Sequence, residues 1–262
     1  MRSFIRFLIV GSALLLSAAC TTVNEQGRST QTTEYNDAAI LNLELGVRYF
    51  QQGNLAVAEE KFQKSIALDN SIPEAHNALG VLYEETARLT SARSSYRRAI
   101  QLDGSFGLPR MNYGRMLCAE GEFPEGLREF RQVIDRRLVD DMAAAYAGLG
   151  TCQLADGDLD TARKSLTRAL ELNRDHAAAL LSVARYELLT GDARAARSFL
   201  DRRHSVTRAN AESIWVAMEI EAASGNITAR DGYELRIRTD FPDSAEADKL
   251  RSRSTGAGQP GQ

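Results

Sequence analysis

Leu45-Gly46-Val47-Arg48-Tyr49-Phe50-Gln51-Gln52-Gly53-Asn54-Leu55-Ala56-Val57-Ala58-Glu59-Glu60-Lys61-Phe62, residues 45–62, reads as the end of one helix, a short break and the start of another. Ile40, Leu43, Val47 and Phe50 lead into the break at helical spacing. Gly53 suits the left-handed position that ends a helix, and Asn54 suits the N-cap of the next. Beyond it, Ala58, Phe62, Ile66 and Leu68 fall on one side of a helix running from Leu55 to about Leu68. The same glycine-polar break returns at Gly121-Glu122, Gly157-Asp158, Gly191-Asp192 and Gly225-Asn226, at intervals of 68, 36, 34 and 34. The first interval is two steps of 34, with Ala87-Arg88 at its midpoint. A fixed period of this length marks a stack of small units, each too small to bury its apolar face alone. Such a stack has no enclosed catalytic pocket by default and presents a long curved surface instead.

Composition agrees. The chain has 262 residues, 26% charged and 44% hydrophobic, with a formal net charge of −3. No basic face of the kind that binds nucleic acid stands out. Aromatic residues are few, at 7%, which favours helices over sheets.

The residues inside each unit resemble the tetratricopeptide repeat (TPR). The first unit supplies Leu45-Gly46, Tyr49, Ala58 and Phe62, and the second Leu79-Gly80, Tyr83, Ala92, Tyr96 and Ala99. The third supplies Tyr113-Gly114, Leu117, Gly126 and Phe130, and the fourth Tyr146, Leu149-Gly150, Ala162, Leu166 and Ala169. The fifth keeps Val183-Ala184, Ala196 and Leu200, while the sixth keeps little beyond Gly225 and the closing Phe241-Pro242. The resemblance implies an all-α, right-handed α-solenoid superhelix of about six helix-turn-helix repeats, at 39–72, 73–106, 107–140, 143–176, 177–210 and 211–244. Gly and Ala belong where two helices approach at roughly 8–10 Å, because a larger side chain would overpack there. Gly114 to Gly150 is two residues longer than the period, and the extra pair falls within Leu138-Val139-Asp140-Asp141-Met142.

No catalytic constellation is present in the sequence. There is no CxxC pair, GxSxG, phosphate loop or zinc-protease helix. His76, His176 and His204 read as structural. The chain is therefore expected to be no enzyme and to need no cofactor or metal. The resemblance places the partner surface on the first helix of each unit. The groove it implies contains Ile40, Leu43, Val47, Phe50, Val81, Leu108 and Met111, with Arg115, Cys118, Ala119, Ala144, Ala147, Thr151, Leu154, Leu181, Arg185 and Leu188 at equivalent places. An apolar groove of this kind suits an apolar or amphipathic protein segment. Trp215 lies on the last unit's inner face, as an anchor or as a cap. Cys118 and Cys152 fall on neighbouring helices, either bridged or as two buried small hydrophobes.

The two ends differ from the body. Arg2 and Arg6 precede an apolar stretch from Phe7 to Leu16, too short to span a bilayer and sized for a signal peptide. Leu16-Ser17-Ala18-Ala19-Cys20 resembles a bacterial lipobox, which implies cleavage after residue 19 and a diacylated Cys20; plain cleavage at Ala19 is the alternative. Residues 20–36 read as a lipidated flexible tether, with a mean reach on the order of 20–25 Å. Residues 37–250 hold the array, and 251–262 read as a disordered tail. Thr21 after the cysteine implies the periplasmic face of the outer membrane.

Taken with these ends, the chain resembles the type IV pilus biogenesis and stability lipoproteins, the PilF/PilW family. Asn112-Tyr113-Gly114, the long third-to-fourth spacing, Leu170-Glu171-Leu172-Asn173-Arg174 and Phe241-Pro242-Asp243-Ser244 carry that resemblance. It implies a pilotin, which binds the outer-membrane secretin and promotes its localisation and multimerisation. The partners implied are the secretin and the outer membrane, with no nucleic acid, and the chain is expected to be monomeric. The alternative is a TPR lipoprotein that scaffolds cell-wall enzymes or outer-membrane assembly machinery.

Overall fold

Asn54 accepts a hydrogen bond from the Val57 amide, and Gly53 before it stands at φ +76°. The break read from the sequence is therefore a helix stop and a helix start in three residues. The computed structural model describes residues 35–256, with side chains through 253. The expected signal peptide, acylated Cys20 and tether up to residue 34 lie outside the described residues, as do 257–262. The described chain forms α1 (Asp37–Gln51), α2 (Leu55–Leu68), α3 (Pro73–Glu85), α4 (Leu89–Leu102), α5 (Gly107–Ala119), α6 (Phe123–Arg136), α7 (Met142–Asp156), α8 (Leu159–Leu172), α9 (Ala177–Leu189), α10 (Ala193–Val206), α11 (Ala211–Ala223), α12 (Ile227–Asp240) and α13 (Ala245–Gly256). Among the described residues there is no strand, and no helix long and apolar enough to cross a membrane. The protein is an all-α solenoid of six helical hairpins followed by a single helix.

One turn chemistry makes all six hairpins. The residue after each left-handed position donates its amide to a carbonyl five residues back: Asn54 to Tyr49, Arg88 to Tyr83, Glu122 to Leu117, Asp158 to Gln153, Asp192 to Glu187 and Asn226 to Glu221. Glycine takes the left-handed place in five of them, because it has no Cβ to clash there. Ala87 takes it in the second, at φ 55°. Asp158, Asp192 and Asn226 then cap their helices through Thr161, Ala195 and Ala229 amides, as the sequence indicates. Arg88 and Glu122 make no side-chain cap bond.

Packing fixes the curvature. Each first helix touches the first helix of the next hairpin, from α1 against α3 through α9 against α11. The second helices make no such contacts with one another among the described residues. The stack is thus tighter on the first-helix side, which becomes the concave face. Aromatic rings plug the hairpins where glycine sits opposite. A Cβ on Gly46 would stand 2.5 Å from the Phe62 ring, and one on Gly80 2.6 Å from Tyr96.

The third-to-fourth joint is irregular, as the spacing indicates. The connection after α6 runs over residues 137–141, one longer than the four-residue connections at 69–72, 103–106, 173–176 and 207–210. Asp69 and Asp103 brace their connections by accepting the amides of Ser71 and Ser105. At the equivalent place Arg137 instead adopts a left-handed φ of 51°. The loop then lies on the start of α5, where a Cβ on Gly107 would meet the Leu138 carbonyl oxygen at 2.5 Å.

Both boundaries of the array need correction. Tyr35 packs on the cluster around Ile72 and Ala75, and Asn36 caps α1, so these two residues belong to the array and not to the tether. The segment from 251 does not begin a tail: α13 continues to Gly256. Its Ala247 and Leu250 are buried against Ile214, Trp215, Met218 and Ile237. Trp215 is accordingly a cap residue, buried, with Lys249 and Arg253 over its ring and its Nε1 donating to Glu219 at 2.7 Å.

Candidate functional site

Helices α3, α5, α7, α9 and α11 stand side by side on the concave face, and a side-chain link joins each to the next. Asn112 donates to Asn77 at 3.0 Å, and Arg115 grips Glu84 with two bonds of 2.6 and 2.9 Å, between α5 and α3. Cys118 and Cys152 form a disulfide between α5 and α7, with Cα atoms 5.5 Å apart. This settles the choice left open by the sequence in favour of the bridge. Thr151 and Ser182 hydroxyls lie 2.6 Å apart between α7 and α9, and Arg185 donates to Glu212 at 2.8 Å between α9 and α11. The links hold the first helices in register and give the face a fixed shape.

A trough of about 620 Å³ opens on this face over the third to fifth hairpins. Its size is in the range of ligand and peptide pockets. Leu108, Met111, Ala144, Ala147, Cys152 and Leu181 supply apolar wall, while Asn112, Thr151, Ser182, Arg115 and Arg185 supply polar groups. At the α10–α11 end the wall is completed by Arg203, Thr207, Asn210 and Glu212. Glu212 falls at a first-helix place of the sixth repeat, but Arg203, Thr207 and Asn210 lie at the end of α10 and in the following connection, where the repeat pattern gave no signal.

The groove residues expected from sequence divide into two groups. Leu108 and Met111 line the trough. Ile40 and Leu43 are half-buried against the Ile72 cluster, Leu43 and Phe50 against Phe62 and Leu79, and Val81 against the Tyr96 cluster. Val47 stays exposed. The first hairpin thus offers a shallow apolar surface, and the concavity lies two hairpins further on. Leu154 and Leu188 are not part of the trough wall: Leu154 is buried, and Leu188 packs against the Leu181 and Val216 cluster.

The histidines do packing and capping work. His76 is buried, its Nε2 2.8 Å from Asn70 Oδ1, and burial lowers its pKa from the ordinary value. His204 Nε2 lies 3.1 Å from Ser213 Oγ, and burial lowers its pKa as well. His176 caps α9 by accepting the Ala179 amide on Nδ1, and it lines the trough. Among the described residues no group of three or more His, Cys, Asp or Glu is placed to hold a metal ion.

The tetratricopeptide repeat model matches residues 36–105, 114–165 and 153–203, which is more than half of the chain. The chain belongs to the tetratricopeptide repeat family. The matches stop before the sixth TPR, whose signature is the most eroded in sequence although its hairpin is intact. No curated protein sequence matches the chain. Among solved structures, PilF of Pseudomonas aeruginosa has a TM-score of 0.62 at 22% identity, covering 82% of this chain and 97% of its own. PilW, described as a widely conserved type IV pilus biogenesis factor, has a TM-score of 0.67 at 21% identity, covering 82% and 99%. The Cut9 and Hcn1 assembly of the APC/C gives the same TM-score, 0.67, at 17% identity, covering 82% of this chain and 42% of its own. The TPR fold is common to all three, and identities this low speak for the fold alone.

Proposed function

We propose that the chain is a pilotin: a lipoprotein, anchored through an acylated Cys20 at the periplasmic face of the outer membrane, that binds the type IV pilus secretin and promotes its multimerisation. The action needs no covalent step, cofactor or metal. The acyl anchor sets the location, and the concave face raises the local concentration of a secretin segment at the membrane. Several acyl chains on one residue hold a protein firmly where a single chain binds marginally. The observation that carries this reading is the extent of the likeness: the match takes in 82% of this chain and 97% and 99% of PilF and PilW, with a lipobox-like leader ahead of the array in the sequence.

The partner segment is placed along the first helices, from the exposed Val47 past Leu43 and Phe50 towards Leu108 and Met111. Val47 is the residue to change. Leu43 and Phe50 pack between hairpins, so a charge there would disturb the array as well as the surface. With Val47→Glu the melting temperature is expected to stay within about 2 °C, as for a surface change of about 0.5 kcal/mol or less. Secretin capture from detergent-solubilised membranes is expected to fall about tenfold, together with SDS-resistant secretin multimers and twitching motility. Normal multimers in a strain lacking the gene, with envelope or cell-shape defects instead, would replace the pilotin reading with that of a TPR scaffold.

A further inference from the structure

Arg203 is a wall residue of the trough that the repeat architecture does not account for. It is only 6% exposed. Its Nη1 donates to the Arg208 carbonyl at 2.9 Å and to Ser213 Oγ at 3.1 Å, and its Nη2 to Asn210 Oδ1 at 3.1 Å. All three acceptors are neutral, and its Nε is buried without a hydrogen-bond partner. The acid that acts on it, Glu212, is engaged by Arg185. A guanidinium taken out of water whose nearest acid is shared with another arginine is costly, and an anion joining it lowers that cost. Arg115 and Arg185, the other arginines of the wall, each already hold a glutamate. Next to Arg203, α9 begins at the trough with Ala177 and Ala178 in the wall, which turns the positive end of its dipole towards the same space. In a chain of net charge −3, this concavity gathers three arginines against one glutamate.

We propose that the α10–α11 end of the trough is a carboxylate subsite, and that the trough takes an apolar protein segment whose Asp or Glu side chain pairs with Arg203. Charge complementarity selects the acid, and the apolar wall selects its neighbours. Thr151, Ser182 and Asn112 bond to neighbouring helices and leave a polar strip along the wall, which suits a peptide backbone better than an acyl chain. The wall draws on four consecutive repeats, from α5 to α11, long enough for an extended segment to lie along it, and the acid proposed is a side chain of that segment. The inference goes beyond the pilotin reading. It fixes the chemistry of the bound segment whatever protein supplies it, and its test involves no secretin.

The test pans bead-bound dodecapeptides, blocked at both ends and randomised over Leu, Ala, Phe, Ser, Gln, Glu and Lys, with the full-length protein in detergent. Recovered peptides are expected to be apolar and to carry Glu about tenfold more often than Gln. Changing that Glu to Gln in a recovered peptide is expected to weaken binding about tenfold or more, the range for a charge-assisted bond to a buried arginine. Arg203→Met should erase the Glu preference, and Arg203→Lys should restore part of it. Arg203 also ties the α10–α11 turn, so a second variant guards against misfolding: Ala178→Trp, at an exposed wall position, fills the trough and should abolish recovery with helicity intact. Equal recovery of Glu and Gln overturns the proposal, as does unchanged selection by Ala178→Trp. Recovery only from a parallel library with free C-termini would reassign the subsite to a chain terminus, and laurate outcompeting every peptide would reassign the trough to a lipid; either result overturns it.

Discussion

Ala87 and Gly107 each break the pattern of their neighbours, in opposite ways. Ala87 holds a left-handed φ of 55° where every other hairpin has glycine, and an L-residue there costs about 1–2 kcal/mol. Part of that is offset by the lower chain entropy of unfolded alanine. Ala87→Gly is therefore expected to stabilise the protein by about 0.5–1 kcal/mol, read as a rise of a few degrees in melting temperature. Gly107 has an ordinary backbone, and its constraint is space: the Leu138 carbonyl would stand 2.5 Å from an added Cβ and cannot swing aside as a side-chain tip can. Gly107→Ala is expected to cost about 1–3 kcal/mol, while equal stability would mean that the 137–141 loop lifts freely. The glycine-polar pairs were legible in the sequence because turn chemistry is local. The need for Gly107 was not, because the clash comes from a loop some thirty residues away. His76 and His204 make stability pH-dependent. Burial lowers both folded pKa values from an unfolded value near 6.5, so over this interval the unfolded chain binds more protons. Stability is full above about pH 6.5 and is lost as pH falls through the folded values. The lowered carboxylates, Glu59, Glu60, Asp69, Asp103, Glu122 and Asp158, are held below the ordinary carboxylate range by hydrogen-bonding partners, and so stay outside the histidine interval. Melting temperatures from pH 7 to 5 should fall in the natural protein and flatten in a His76→Gln, His204→Gln double variant; parallel curves would assign the fall to other groups.

Among the helices, the decisive contacts are those between first helices, where each neighbour from α3 to α11 is bridged once or twice. Most of these links are exposed or part-exposed polar pairs, worth less than their number suggests because surface ion pairs contribute about 0–1 kcal/mol. The Cys118–Cys152 bridge differs in kind. It joins residues 34 apart, two places out of repeat register because Gly114 aligns with Gly150, across the joint whose connection is one residue too long. The longer connection and the left-handed Arg137 leave this joint with a less regular turn than its neighbours, and the covalent link holds α5 to α7 regardless. Closing a loop of that length restricts the unfolded chain by roughly 3–4 kcal/mol. Reduction with dithiothreitol, or Cys118→Ala with Cys152→Ala, is expected to lower the melting temperature by about 10 °C or more if the array melts as one unit. A smaller loss confined to amide exchange in α5–α8 would show instead that the joint opens by itself. Which helices form was readable from the 34-residue period, and their ends fall within a few residues of the expected repeat bounds. The bridge was visible only as two cysteines one period apart, since spacing places them on adjacent helices without fixing whether their side chains meet. The last helix, α13, escaped because its sequence is polar and Gly-Ser-rich towards the end, and only Ala247 and Leu250 on one face give it a reason to fold.

At the scale of the whole array, an unbranched stack has two ends, and each must be covered because no further hairpin arrives to bury it. At the amino end, α1 exposes Leu41 and Val47 but seats Tyr35 and Ile40 on the Ile72 cluster. At the carboxyl end, α13 occupies the place a seventh first helix would take, touching both α11 and α12. The candidate trough sits between these ends, where curvature and small side chains coincide. On the first repeat, Ile40, Leu43 and Phe50 help to close the stack and leave a shallow surface, while alanines at the fourth repeat open a deeper one. Removing α13 tests the same logic. A chain ending at Asp243 uncovers Ile214, Trp215, Met218 and Ile237 and takes Lys249 and Arg253 off the indole. Loss of the buried Leu250 alone is worth about 1.5–3 kcal/mol. Trp215 is the single tryptophan of the chain, so its emission reports this end without interference. We expect a red-shifted emission maximum, an earlier melting step confined to α11 and α12, and a later one for the disulfide-bridged centre. An unshifted emission maximum with a single unchanged transition would mean that the sixth hairpin covers its own tryptophan, and that the array ends where the repeats do.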